Sequence, residues 1–175
     1  AGFKAPSSPD AISIAKALDL IEASERPLLY VGGGVISSGS HASLAALANR
    51  YRLPVTTTLM GKGAFDERDP LSVGMLGMHG TAYANFAVTE CDLLVAIGAR
   101  FDDRVTGRLD SFAPSAKVVH FEVDPAEINK NRNADVAVLG DLSVSLEKIL
   151  ELSDKREVRP ITNEWLAQIE EWKTK

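Results

Sequence analysis

A chain of 175 residues, 45% hydrophobic and 25% charged, has the size and mixture of one ordinary globular domain with a core of its own. Its net charge of -5 and the lack of a basic stripe interleaved with aromatics exclude a nucleic-acid partner, and no apolar run reaches the length of a membrane span. Cys91 is the only cysteine, which excludes an internal disulfide and a zinc ribbon and fits a reducing compartment.

Ala1-Gly-Phe-Lys-Ala-Pro-Ser-Ser-Pro9 reads as a linker, and with no initiator methionine the expectation is an excised domain. Asp10 caps a predicted helix running to about Ser24, with Ile14, Leu18 and Ile21 on one face. Pro27 ends it, and Leu28–Val31 forms a strand running into Gly32-Gly-Gly34. A helix from about His41 to Tyr51 follows, then a strand over Pro54–Thr58 and a loop over Leu59–Gly63. A long excursion passes through Gly74-Met-Leu-Gly-Met-His-Gly80 into a helix from about Thr81 to Glu90. Asp92-Leu-Leu-Val-Ala-Ile97 is a buried strand, and a charged loop follows it. Lys117–Val123 and Val136–Leu139 are further strands, each ending in an acidic residue; Leu142–Leu152 and Thr162–Lys173 are helices. Strands alternating with helices predict an α/β fold: a doubly wound parallel sheet of about six strands, Rossmann-like, with helices on both faces.

Such a sheet binds ligands at the carboxyl ends of its strands. The decisive stretch lies there: Gly98-Ala-Arg-Phe-Asp-Asp-Arg-Val-Thr-Gly107. Arg100 and Arg104 carry forked donors suited to phosphate or carboxylate, while Asp102 and Asp103 can accept from hydroxyls or orient those arginines. Gly32-Gly-Gly34 either lets a ligand approach the backbone or simply turns the chain; it is not a GxGxxG fingerprint. No carboxylate closes the second strand at Thr56-Thr-Thr-Leu59, where an NAD site holds its ribose. The acids come later, at Glu122, Asp124 and Asp141, so the adenosine end of a dinucleotide would lie on the later half of the sheet. His79 either meets a ligand or bonds its own loop, and Met75 and Met78 either flank a flat ring or fill core gaps. His41 and His120 lack ligand-type spacing, so no metal site is expected, and no histidine is placed to activate Cys91.

Five blocks, Tyr30-Val-Gly-Gly-Gly34, Thr58-Leu-Met-Gly61, Met75-Leu-Gly-Met-His-Gly-Thr81, Gly98–Gly107 and Glu122-Val-Asp-Pro125, closely resemble the central domain of the acetohydroxyacid (acetolactate) synthases. The resemblance runs from near Gly2 to about Leu152 in order and spacing, and the Gly98–Gly107 and Glu122–Pro125 blocks are highly specific within the thiamine-diphosphate enzymes. Family members join two 2-oxoacids, pyruvate with pyruvate or 2-oxobutyrate, after decarboxylating one, in branched-chain amino-acid synthesis. Their central domain holds FAD as a mainly structural cofactor.

The resemblance assigns roles residue by residue. It places Gly33 and Gly34 against the FAD backbone, and Thr58, Leu59, Leu76, Gly77, Met78 and His79 along the flavin and ribityl part. Gly98, Ala99, Arg100, Asp102, Arg104 and Val105 contact FAD through the central loop; Glu122, Val123, Gly140 and Asp141 take the adenosine end. Met78, Asp103 and Arg104 border the substrate channel and its herbicide site. Glu127 departs from relatives that carry Asn as an adenosine contact, and is not counted as a site residue.

The thiamine-diphosphate motif, Gly-Asp-Gly through Asn-Asn, is absent, since Gly140-Asp-Leu lacks the second glycine. The expected organisation is therefore residues 1–9 as a linker from an amino-terminal domain, 10–153 as the FAD-binding domain, and 154–175 as a linker and helix leading to a thiamine-diphosphate domain. The fragment holds no catalytic residue and is expected to be inactive alone. Thiamine diphosphate and Mg2+ belong to the other domains of a parent that is a homodimer or homotetramer with a regulatory subunit. The parent is cytoplasmic in bacteria and plastidic in plants or algae. Two alternatives remain at this level: the central domain of another thiamine-diphosphate enzyme, and a stand-alone nucleotide-binding module.

Overall fold

The computed structural model describes residues 8–102, 107, 111–160 and 163–175. Its helices are α1 (Ala11–Ala23), α2 (Gly33–Ser37), α3 (His41–Tyr51), α4 (Ala82–Glu90), α5 (Leu142–Ser153) and α6 (Asn163–Lys173). Its strands are β1 (Pro27–Val31), β2 (Val55–Thr57), β3 (Ser72–Met75), β4 (Leu93–Ile97), β5 (Lys117–Glu122) and β6 (Val136–Leu139). All pair in parallel, in the order β3-β2-β1-β4-β5-β6. The doubly wound, six-stranded expectation holds. Helices α1, α3 and α5 pack together on one face, and α4 with α6 on the other.

Local chemistry explains the element ends. Asp10 accepts from Ser13 N at 2.8 Å and starts α1, whose Ile14, Ala17, Leu18 and Ile21 are buried. Thr81 and Asp141 cap α4 and α5 in the same way. The central strands β1 and β4 are buried along their whole length, as strands covered on both faces must be. Each such aliphatic side chain removed from water contributes about 1.5–3 kcal/mol. The Asp92 carboxylate accepts from Glu25 N and Arg26 N, both at 2.9 Å, and so aligns the start of β1 with that of β4.

Several local expectations need correction. Ser72–Met75 is an edge strand, where the sequence reads as excursion: Val73 is its one fully buried position, and Gly74 interrupts any apolar run. The Gly-rich turn is the start of the short helix α2, with Gly32 as its extended cap. The strand over Pro54–Thr58 is shorter, because Thr58 leaves it to accept from Gly61 N and close a single 3-10 turn over Leu59–Gly61. β6 ends at Leu139, and its acidic neighbour Asp141 belongs to α5. The helix expected from Thr162 runs from Asn163; Thr162 itself lies outside the described residues. Trp165 and Ile169 of α6 are buried, and Trp165 Nε1 donates to Pro27 O at 2.9 Å.

Candidate functional site

Parallel strands bring their carboxyl ends to one edge, and there a cleft of about 810 Å³ opens. It gathers Gly33, Gly34, Thr58, Leu59, Leu76, Gly77, Met78, His79, Gly98, Ala99, Arg100 and Asp102, residues supplied by four separate loops. Gly32, Met60 and Met75 also line it, and the family resemblance assigns none of the three a cofactor contact. A glycine beginning the cluster and a methionine beside Leu59 were the signals available for two of them. Leu59, Met60 and Met78 are exposed at the rim, so the walls are apolar up to the mouth. Asp103, Arg104 and Val105 lie outside the described residues.

The floor of the cleft is a close approach of two loops. Gly34 N donates to Gly98 O at 3.1 Å. A Cβ on Gly34 would sit 2.7 Å from Gly98 Cα, and one on Gly98 would sit 2.7 Å from Gly34 Cα. Gly98 also has φ of +56°, where a side chain is disfavoured. Two glycines are needed for contact between these turns.

Glu122, Val123, Gly140 and Asp141 stand on the same edge but beyond the cleft, at the ends of β5 and β6. Their acids are largely engaged already. Glu122 Oε1 accepts from Val123 N at 2.9 Å and Asp124 N at 3.2 Å. Asp141 Oδ1 accepts from Ser143 Oγ, Ser143 N and Val144 N, which holds its carboxyl below the usual range. Gly140 is covered by the chain entering α1, since a Cβ there would lie 2.8 Å from Pro9 N. Arg100 is mostly exposed and faces Glu127 Oε2 at 3.9 Å, and Glu127 also accepts from Lys130 Nζ at 2.9 Å.

Under the Gly98–Asp102 turn sits a cluster of rings: Tyr30, Phe101, Phe112 and His120, with centroids 5.2–6.2 Å apart in the contacting pairs. Tyr30 Oη donates to Arg100 O at 2.9 Å. Burial, then the charge of Asp102, pushes the Tyr30 hydroxyl well up, so it remains a donor. His120 Nε2 lies 3.0 Å from Ala99 O; a carbonyl only accepts, so Nε2 carries the proton. Its Nδ1 is buried without a partner among the described residues. Burial lowers the His120 pKa from its ordinary 6.5, against the opposing pull of Glu122. The linkage has a definite sign. Below pH 6.5 the unfolded chain binds a proton that the folded His120 refuses, so this stabilisation is present above 6.5 and falls away as pH drops. The unfolding free energy across about pH 5–8 should therefore fall more steeply towards acid in the native chain than in His120→Gln, by up to about 1.4 kcal/mol per pH unit. Parallel curves would refute it.

Cys91 is buried, its Sγ lies 3.2 Å from Val88 O, and burial pushes its thiol up to about 12, so it is no nucleophile. Among the described residues no helix is long and apolar enough to cross a membrane.

Residues 14–149 match the family model described as thiamine pyrophosphate enzyme, central domain. The chain belongs to that family. Relatives of this central domain include the acetolactate synthase large subunit of Parasynechococcus marenigrum (strain WH8102), 70% identical across 98% of the chain. The large subunit of Porphyra purpurea is 52% identical across 91%, and the probable large subunit of Methanocaldococcus jannaschii is 49% identical across 98%. The chain spans 28%, 28% and 29% of those proteins, so a thiamine pyrophosphate enzyme's central domain is what the match covers.

Proposed function

We propose that the chain is the FAD-holding central domain of an acetolactate synthase, which condenses pyruvate with pyruvate or 2-oxobutyrate in branched-chain amino-acid biosynthesis. The observation that carries the reading is the glycine-floored, methionine-rimmed cleft at the carboxyl edge, lined by four of the five sequence blocks that resemble the synthases. Its volume suits a large, flat cofactor, since ligand sites span about 300–1,000 Å³. The fit is good on chemical grounds too. Leu59, Met60, Met75, Leu76 and Met78 offer apolar surface to a ring system, and Gly33, Gly34 and Gly98 let a chain pass close to the backbone. Glu122 Oε2, which carries no hydrogen bond among the described residues, is the oxygen left to accept from a ribose hydroxyl.

In this reading FAD is structural, and thiamine diphosphate with Mg2+ supplies the carbanion chemistry from the flanking domains. Met78, with Asp103 and Arg104, borders the channel by which 2-oxoacids and herbicides enter. The other domains of the same chain are the nearest partners, in a homodimer or homotetramer with a regulatory subunit. The setting is the cytoplasm of a bacterial source or the plastid of an algal or plant one.

The full-length protein should form acetolactate from pyruvate with thiamine diphosphate and Mg2+, and should lose activity when stripped of FAD and regain it on readdition. The 175-residue piece should form none, and should bind FAD more weakly than the whole, because ordering loops left uncovered consumes contact energy. A full-length protein that takes up no flavin, or makes no acetolactate, would overturn the proposal.

A further inference from the structure

Four consecutive carbonyls of the turn after β4 are each held by a different part of the molecule. Gly98 O accepts from Gly34 N, Ala99 O from His120 Nε2, Arg100 O from Tyr30 Oη and Phe101 O from Asn131 Nδ2. Such a sequence of captured acceptors is more than a loop needs in order to stay on a surface. Exposed turns ordinarily leave their carbonyls to water.

Peptide planarity gives the arrangement its consequence. Among the described residues no peptide bond is cis, so each amide hydrogen points opposite to the carbonyl of its own peptide. Drawing the Ala99 and Arg100 carbonyls down onto His120 and Tyr30 turns the Arg100 and Phe101 N–H groups away from the ring cluster. Neither amide meets an acceptor among the described residues. The same two bonds fix where the backbone of Arg100 stands, while its guanidinium remains exposed.

We propose that Tyr30 and His120 are positioning residues of the ligand cleft: they touch no ligand, but set the Ala99–Phe101 turn so that its amides and Arg100 are preorganised for an acceptor-rich ligand such as the diphosphate of a flavin nucleotide. The inference rests on the flavin reading of the cleft. It adds two residues from β1 and β5 to a site otherwise made of loops. Both are buried and held among aromatic rings, so they lend the turn the rigidity of the sheet. Each makes its bond through a single donor atom, which makes the role separable from packing.

The test uses the full-length protein stripped of flavin. Tyr30→Phe removes one hydroxyl and keeps the ring. His120→Leu removes the imidazole donor, and His120→Gln keeps a donor near the Nε2 position. Tyr30→Phe and His120→Leu should each weaken FAD binding about tenfold, the usual consequence of losing one buried hydrogen bond. His120→Gln should stay within roughly threefold of the native protein, as rescue of a positioning bond requires. Amide hydrogen exchange over residues 98–102 should quicken in Tyr30→Phe and His120→Leu before any FAD is added. A lowered melting temperature with unchanged FAD affinity and native exchange in that turn would overturn the proposal. Should His120→Leu fail to fold, Tyr30→Phe and His120→Gln decide it. Should the native protein take up no FAD, the flavin reading fails by itself, and the exchange measurement still judges the turn: faster exchange in Tyr30→Phe upholds the positioning role, and native exchange refutes it.

Discussion

Replacing Gly98 with alanine should destabilise the domain by about 2–5 kcal/mol. Two costs combine. The left-handed backbone, φ +56°, penalises a side chain by about 1–2 kcal/mol. The new methyl would also lie 2.7 Å from Gly34 Cα and from Leu142 Cδ1, and overpacking of this kind costs about 1–3 kcal/mol. For a domain of this length the melting temperature should fall by roughly 4–20 °C. Gly39→Ala separates the two terms: its φ is +66°, but nothing lies within 4 Å of the added carbon. It should show the conformational cost alone. Equal melting temperatures for the two variants would mean that the two loops do not meet as described.

Trp165→Ala should be comparably damaging, at about 3–5 kcal/mol or roughly 6–20 °C. The indole is almost fully buried, packs edge-on against Trp172, and donates to Pro27 O at the first residue of β1. Truncation leaves a cavity and removes that donor at once. Trp172→Ala, at a partly exposed position against Phe86, should cost distinctly less. Thermal melts of the two variants side by side check the ranking. A native-like Trp165→Ala would show that α6 is not part of this hydrophobic core.

The residues differ in how much of this could be read in advance. Asp92–Ile97 declares itself as a strand because an unbroken apolar run bounded by Asp and Gly has few other readings. Ser72–Met75 does not, since an edge strand with one buried side chain and a glycine carries no periodic signal, and only its partner β2 makes it a strand. Gly32–Gly34 looked like a turn because glycines disfavour helix; the tertiary contact with Gly98 outweighs that preference. Three of the four cleft loops are legible from topology alone, because parallel strands leave their carboxyl ends no other place to meet; the Leu76–His79 loop follows the unread strand β3 and is assigned to the site only by the family resemblance. The roles of Tyr30 and His120 were not legible. Each bonds a backbone carbonyl far along the chain, and a backbone acceptor leaves no mark in the sequence. The same holds for Gly140, whose covering by Pro9 depends on where the chain enters α1.

The place of β1 in the sheet bears on how the chain is made. It is flanked by β2 on one side and by β4 on the other, paired residue for residue from Pro27–Leu93 to Val31–Ile97. A nascent chain that has left the ribosome only as far as β3 therefore presents three strands with one edge of β1 unpaired. That edge finds its partner only once Leu93–Ile97 has emerged, and long-range parallel pairing is the slow part of such assembly. During that interval the growing polypeptide exposes an unpaired strand edge, and the centre of the finished sheet stays open until β4 has emerged.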